Sequence, residues 1–410
     1  MKIGLLKEHH FDEKRVALIP ANVTRLMKKN IAIMVESSAG VHAGFIDKDY
    51  QDAGASIHDR QTILAQADII VLVNAKGAQL DELKSQLNEK QLLIGMMDPL
   101  AHPEHAQTLA SIGVSGIALE MVPRITRAQS MDVLSSMATI AGYKAVLLAA
   151  YRAPRLFPMM MTAAGTLKPS RALIMGVGVA GLQACATAKR LGAVVEAYDI
   201  RPAAREQIIS VGAKPVELDL ETENTETKGG YATEQSDDFL KRQQQAMANV
   251  LAQQDIIITT AAIPGRTAPI LITKEMVDSM KNGSIIVDLA AETGGNCELT
   301  ELNKEVLHKG VTIIGPSNIA STAATHASQM FGTNIEHLLN LLLDKEGVLT
   351  LDIEDEIVRD TLVAHQGEII SPRLRDVLKL PALSIPPTPT ADEPTPSSAE
   401  NNSTTTQETH

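Results

Sequence analysis

The stretch Ala172–Ala184, ALIMGVGVAGLQA, places Gly176, Gly178 and Gly181 in a GxGxxG pattern directly after an apolar run and at the opening of a small-residue segment. Between a strand and a helix, the first glycine allows a tight turn, the second lets a pyrophosphate approach the backbone, and the third lets helix and strand pack closely. The free N–H groups at the start of that helix then face the phosphates. Eighteen residues past Gly181, the β-branched run Val194–Tyr198 ends at Asp199, where a carboxylate would meet the adenosine ribose hydroxyls. A carboxylate repels a 2′-phosphate, so NAD(H) is favoured over NADP(H); Arg201, two residues on, weakens that preference. A glycine-rich turn with no ligand is the bland alternative.

Outward from this motif, apolar runs near 172–175, 194–198, 214–218, 255–260, 284–289 and 311–314 predict six strands of a dinucleotide-binding sheet within residues 166–325. Upstream, runs at 3–6, 31–35, 69–73, 92–96 and 113–119 alternate with amphipathic stretches at 22–29, 60–65 and 103–111. Alternating strand and helix predicts a parallel sheet, so the fold class is α/β, with two Rossmann-like domains joined by long helices. The first, flavodoxin-like, is expected to comprise 1–125 together with about 326–380, where an amphipathic helix over 326–343 returns the chain to it. Residues 126–165 form the link: small and apolar side chains from Ser130 to Tyr151 predict one long buried helix, followed by an irregular segment at 158–169. The polar stretch from Asp219 to Gln235 is too long for a tight connection and is expected to be a mobile lid or a surface insertion. The Pro/Ser/Thr-rich segment 381–410 is expected to be a disordered tail, because it holds too little apolar surface to offset the entropy of ordering.

Composition narrows the function. With 37 Lys and Arg against 49 Asp and Glu, the 410-residue chain carries a formal charge of −12, which supplies no broad cationic face for nucleic acid. The two cysteines, Cys185 and Cys297, are too few for a disulfide framework or a cysteine-built zinc site. A start that turns charged within ten residues and no apolar run near 18 residues predict a cytoplasmic chain without direct membrane insertion.

A second polar constellation precedes the long helix. In PRITRAQSMDVLSS, residues 123–136, Arg124, Arg127, Gln129, Asp132 and Ser135 offer guanidinium, amide, carboxylate and hydroxyl groups that could hold a carboxamide and ribose hydroxyls. Equally, Ser130 could cap the helix with Asp132 in its first turn. His102 and His105 have metal-like spacing without an evident third ligand, so no metal site is expected; His9 and His10 are expected at the surface, and both cysteines in packing roles.

These residues, together with 162–202, GGYA at 229–232, TTAAIPGRTAPILIT at 259–273 and GSIIVDLAAETGGNCELT at 283–300, resemble the NAD(H)-binding alpha subunit of proton-translocating NAD(P) transhydrogenases. The resemblance spans most of residues 1–370. The wider superfamily includes alanine dehydrogenase, which shares KRVALIP at 14–20. The resemblance implies a homodimer with NADH in the cleft, and NADP(H) bound on a partner subunit. A membrane-spanning partner would place the chain at the cytoplasmic face of the inner membrane. It implies Gln129 near the nicotinamide ribose, with Arg124, Asp132 and Ser135 orienting the carboxamide and Ile125 and Thr126 in the same loop. It implies Tyr231, with Gly230, in a loop closing over NADH; Asp199, Ile200 and Arg201 at the adenosine; Val179 at the pyrophosphate turn; and Ala262 on the adenine side.

Hydride passing between two nicotinamides makes and breaks no O–H or N–H bond, so that transfer needs held rings rather than a general acid or base. An amino-acid dehydrogenase does need a proton-transfer group. Where the alanine dehydrogenases carry a histidine after the fourth strand of the first domain, LLIGMMDPL has Met97 and Asp98; Lys76 is out of register, and Glu292 stands where an aspartate is expected. An NAD-dependent alanine dehydrogenase and a catalytically silent NAD-binding regulator remain the alternatives. One departure from the transhydrogenase pattern is GPSNIASTAATHASQ at 315–329, without the family's Pro- and Arg-containing turn at that place.

Overall fold

The β-branched runs form two large sheets in a computed structural model that describes residues 1–10, 12–218, 237–262 and 265–383. In the first half lie β1 (Lys2–Leu5), β2 (Ala32–Glu36), β3 (Ser56–His58), β4 (Ile69–Asn74), β5 (Leu92–Met96) and β6 (Ser115–Ala118). A small hairpin, β7 (Met160–Thr162) and β8 (Gly165–Leu167), follows the long helix. The second series is β9 (Arg171–Met175), β10 (Val194–Tyr198), β11 (Lys214–Pro215), β12 (Ile256–Thr259), β13 (Ile285–Asp288), β14 (Glu305–His308) and β15 (Val311–Ile314). Finally, β16 (Leu362–His365) and β17 (Glu368–Ile369) rejoin the first sheet.

The first sheet has the order β17-β16-β6-β5-β4-β1-β2-β3, parallel from β3 through β6, with β16 antiparallel to β6 and β17 antiparallel to β16. Its β3-β2-β1-β4-β5-β6 run is the Rossmann order and corrects the flavodoxin-like expectation. The cause is one strand: without the three-residue β3, the remaining five would read 2-1-3-4-5. The second sheet runs β11-β10-β9-β12-β13-β15-β14, parallel except for the edge strand β14, which makes seven strands rather than six. Both sheets bury apolar side chains on both faces, as strands covered by crossover helices must.

Two helices, Val133–Arg152 and Ala324–Leu342, lie where the chain passes between the halves. The long one is Val133–Arg152, rich in small and apolar residues, which buries Val133, Met137, Ile140, Gly142, Ala145, Val146 and Ala149 and leaves Tyr143 and Tyr151 exposed. Length and composition alone would let it cross a bilayer, contrary to the expectation that no stretch would. Its contacts identify it as a core helix instead: it lies against helix Val179–Arg190 of the second sheet and helix Ala324–Leu342, whose Phe331, Ile335 and Leu338 fill the first domain's core. Gly142 allows a close approach in the first contact, since a Cβ there would lie 2.1 Å from the Ala180 carbonyl oxygen. The segment expected to be irregular at 158–169 contains the β7–β8 hairpin. The expected lid at 219–235 lies outside the described residues, as does all but Pro381–Leu383 of the expected tail.

Candidate functional site

At the carboxyl end of β9, Gly176 has φ +87°, and a Cβ there would sit 2.9 Å from the Ala261 backbone nitrogen. A Cβ on Gly181 would lie 2.0 Å from the Gly176 carbonyl oxygen, so helix and turn touch through backbone alone. Gly178, which begins helix Val179–Arg190, has nothing within 4 Å of its Cβ position, and Val179 is exposed. The turn therefore has the shape a pyrophosphate requires: closed at the first and third glycines, open at the second, with a twelve-residue helix pointing its N-terminus into the opening.

Asp199 lies at the end of β10, on the neighbouring strand. Its Oδ2 accepts the Val177 N–H at 2.7 Å, and its Oδ1 accepts the Arg201 N–H and Nε–H, each at 2.9 Å. Arg201 also reaches Asp199 Oδ2 at 2.9 Å and donates to the Val177 carbonyl oxygen at 3.1 Å. This fork places the Asp199 carboxylate against the glycine turn, while Ile200 packs on the apolar cluster around Leu173, Met175 and Tyr198. A carboxylate has about four acceptor positions, and these four bonds engage them, so a ribose hydroxyl would have to share or displace one of the Arg201 bonds.

The opposite wall follows β12. Thr260 Oγ1 donates to the Gly176 carbonyl oxygen at 2.8 Å, Ala261 is bonded in both directions to the Asn296 carboxamide, and Ala262 is exposed at the rim. The order reverses between β9 and β12, so Gly176, Asp199, Thr260 and Ala262 gather at the topological switch point, where open α/β sheets bind ligands.

The polar loop is a 3-10 segment, Thr126–Met131, leading into the long helix. Asp132, not Ser130, caps that helix: its Oδ1 accepts the Ser135 N–H at 2.9 Å, and Ser135 Oγ donates to Oδ2. The cap sits two residues later because Ser130 belongs to the 3-10 turn, with its carbonyl oxygen accepting from Asn334 Nδ2 at 2.7 Å. Arg127 leaves the constellation by binding Asp355 at 2.6 and 3.0 Å, which tethers the loop to helix Glu356–Thr361. Arg124, Thr126 and Gln129 are exposed, and Ile125 is half-buried. About ten residues of helix, roughly 15 Å, separate Asp132 from Gly142. The polar loop and the glycine turn are thus fixed by one element. Gly230 and Tyr231 lie outside the described residues.

Sequence reasoning missed a buried polar cluster in the first domain. Glu13 and Arg15 form a bidentate pair at 2.8 and 2.6 Å, joined by Asn74 and by Asn318. Asn318, at φ +42°, also bonds the Asp12 carbonyl oxygen and donates its N–H to Glu292, so this residue anchors the atypical turn at 315–329. Burial pushes the Glu8 carboxyl up to about 8 and the Glu120 carboxyl up to about 7. Glu120 accepts N–H groups from Met97 and Asp98, just ahead of the polar loop.

Of the histidines, His105 bonds the Met97 carbonyl oxygen through Nδ1 and the Gly77 N–H through Nε2, and His9 pairs with Glu82. Among the described residues no cluster has the makings of a metal site. Both cysteines are buried, and burial pushes their thiols up to about 12 for Cys185 and about 11 for Cys297, which suits packing rather than nucleophilic roles.

Two family descriptions match the chain: "Alanine dehydrogenase/PNT, N-terminal domain" over residues 4–141 and "Alanine dehydrogenase/PNT, C-terminal domain" over residues 145–372. The chain is 45% identical over 380 residues to an NAD(P) transhydrogenase subunit alpha protein of Rhodospirillum rubrum, covering 91% of this chain and 99% of that protein. It superposes on a transhydrogenase from Sinorhizobium meliloti with a TM-score of 0.80 at 41% identity, covering 90% of this chain and 100% of that one. Identity to the alanine dehydrogenase of Bacillus subtilis is lower, 29% over 306 residues and 73% of each chain. With a two-domain frame, a formed glycine turn and nearly full-length similarity of this kind, the chain belongs to the alanine dehydrogenase/PNT family, in its NAD(P) transhydrogenase alpha-subunit branch.

Proposed function

We propose that this chain holds NAD(H) at the glycine turn and passes a hydride between it and NADP(H) bound on a partner subunit. Membrane-spanning partners couple the exchange to proton translocation, and the chain lies at the cytoplasmic face of the inner membrane through them. The observation that carries the reading is the opening at Gly178, between the helix N-terminus and the Asp199 carboxylate, in a chain nearly coextensive with a transhydrogenase alpha-subunit protein. The dihydronicotinamide supplies the hydride; the chain's role is to bind, orient and exclude water. Gly176, Gly178, Val179 and Gly181 take the pyrophosphate, Asp199, Ile200 and Arg201 the adenosine, and Ala262 the adenine side. Arg124, Ile125, Thr126, Gln129, Asp132 and Ser135 hold the nicotinamide end, and Gly230 and Tyr231 belong to the closing loop.

Domain limits of 1–125 with about 326–380, and 166–325, accompany this reading. The homodimer is supported by the β7–β8 hairpin, which exposes Met160, Met161 and Leu167 beside exposed Tyr151, Leu156 and Met159, an apolar set that a second copy would cover. Against alanine dehydrogenase stand Met97 and Asp98 at the place where those enzymes carry a histidine, and the lower identity of 29% over 306 residues. Mixing the purified chain with an NADP-binding partner subunit should give reduction of an NADP analogue by NADH. No reduction there, with brisk NADH oxidation by pyruvate and ammonia instead, would favour the dehydrogenase; NADH binding without either reaction would favour a silent regulator.

A further inference from the structure

The loop that forms the far wall of the nucleotide crevice is closed by one buried side chain. Asn296 Oδ1 accepts the Ala261 N–H at 3.0 Å, while its Nδ2 donates to the carbonyl oxygens of Ala261 at 2.8 Å and Pro269 at 2.9 Å. The carboxamide thereby gives Ala261 the two bonds that a neighbouring strand would give, just beyond the end of β12, and ties the loop's other end to the same point. Asn296 is itself fully buried and fixed from below. Its N–H donates to Asp288 Oδ2 at 2.7 Å, and Asp288, also fully buried, further accepts from Thr259 Oγ1, Ala290 N, Cys297 N and Thr300 Oγ1. Buried carboxylates are costly unless hydrogen-bonded, and the chain supplies this one with donors from β12 and from the turn after β13.

A second link crosses the crevice. Thr260 Oγ1 donates to the Gly176 carbonyl oxygen at 2.8 Å, so the loop is registered against the glycine turn itself. Gly176 has no room for a side chain because Ala261 lies against it. The Ala261 backbone thus sits where three constraints meet: the carboxamide, the threonine bridge and the close approach of the turn.

We propose that Asn296 and Thr260 are positioning residues for the adenosine half of the NAD(H) site, with Asp288 as the buried anchor that orients Asn296. This rests on the NAD(H) reading above. Neither residue is needed at the reacting ring. Loosening Ala261 would let the wall carrying Ala262 drift from the turn and weaken ligand binding, leaving transfer at saturation alone.

The test uses the full chain, with Asn296→Ala and Thr260→Val, each titrated with NADH and with ADP-ribose, which lacks the nicotinamide. Hydride transfer is then followed with the NADP-binding partner, and the thermal midpoint is measured for each. The expected result is a rise of about tenfold in Kd for both ligands by the same factor, a matching rise in KM for NADH, and kcat within about twofold. Thr260→Val keeps shape and the Asp288 network, so it carries the test should Asn296→Ala fail to fold. A lowered midpoint with unchanged Kd would mark a purely structural role and overturn the assignment, as would a loss confined to NADH. A wild-type chain that binds neither ligand would overturn the NAD(H) reading itself, whereas wild-type binding with unaltered variants would overturn the positioning role alone.

Discussion

Arg201 folds back onto Asp199 two residues upstream, engaging both carboxylate oxygens and the Val177 carbonyl oxygen at the same time. A guanidinium so occupied is poorly placed to pair with a 2′-phosphate, and the carboxylate it holds repels one. Asp199→Ser should free Arg201 and shift the preference between NADH and NADPH by at least about tenfold toward NADPH. Fluorescence titration with both nucleotides measures the ratio, and an unchanged ratio would show that selectivity is set elsewhere.

Glu13 and Arg15 are both almost fully buried, with side-chain exposures of 1% and 6%. Removing one partner strands the other's charge, so Glu13→Ala should cost about 3–5 kcal/mol in urea unfolding. Replacing both with apolar side chains of similar size, Glu13→Leu with Arg15→Met, should restore much of that loss. A single variant with wild-type stability would mean that water reaches Arg15.

The buried carboxyls set a pH dependence with a definite sign. Burial raises Glu120 from 4.5 to about 7 and Glu8 from 4.5 to about 8, so between those limits the folded chain binds more protons than the unfolded one. Their contribution to stability is full below about 4.5 and is lost as the pH rises through 7 to 8. Glu120→Gln should therefore lose less stability than the wild type between about pH 5 and pH 8.5, read from urea midpoints at both values. Parallel curves for the two proteins would contradict the shift.

Gly142→Ala would drive a methyl group into the Ala180 carbonyl oxygen, which belongs to backbone and cannot swing aside. The expected cost is about 1–3 kcal/mol, together with weaker NADH binding, because the displaced helix begins at the glycine turn. A variant with unaltered melting and affinity would show that the contact yields without consequence.

Asp132 and Ser135 bond one another, so Asp132→Ala removes a helix cap as well as a polar group, at about 1 kcal/mol. Gln129→Ala removes only an exposed amide. Both should leave NADH affinity largely intact while slowing hydride transfer in the reconstituted complex; unchanged transfer would remove the loop from the mechanism.

Where chemistry and periodicity coincide, the sequence is legible. GxGxxG followed by a strand ending in Asp199 locates the turn and its carboxylate, and the small-residue run locates the long helix. Short or isolated strands are not legible: Ser56–His58 has three residues with a single apolar one, Ile57, and Leu362–His365 pairs with Ser115–Ala118 about 250 residues away, a partner that no local pattern announces. The start of the long helix is undecided by residue type, because Ser130 and Asp132 are equally good caps until the 3-10 turn consumes the first. Asp288 is visible only as the polar end of an apolar run; that donors from several segments converge on it is a property of the fold.

The helix Val133–Arg152 begins at the polar loop and, near its middle, presses Gly142 onto the helix that leaves the glycine turn. One rigid rod thus sets the span between the polar loop and the glycine turn, so the two halves of the proposed dinucleotide site keep a fixed distance without needing any contact of their own.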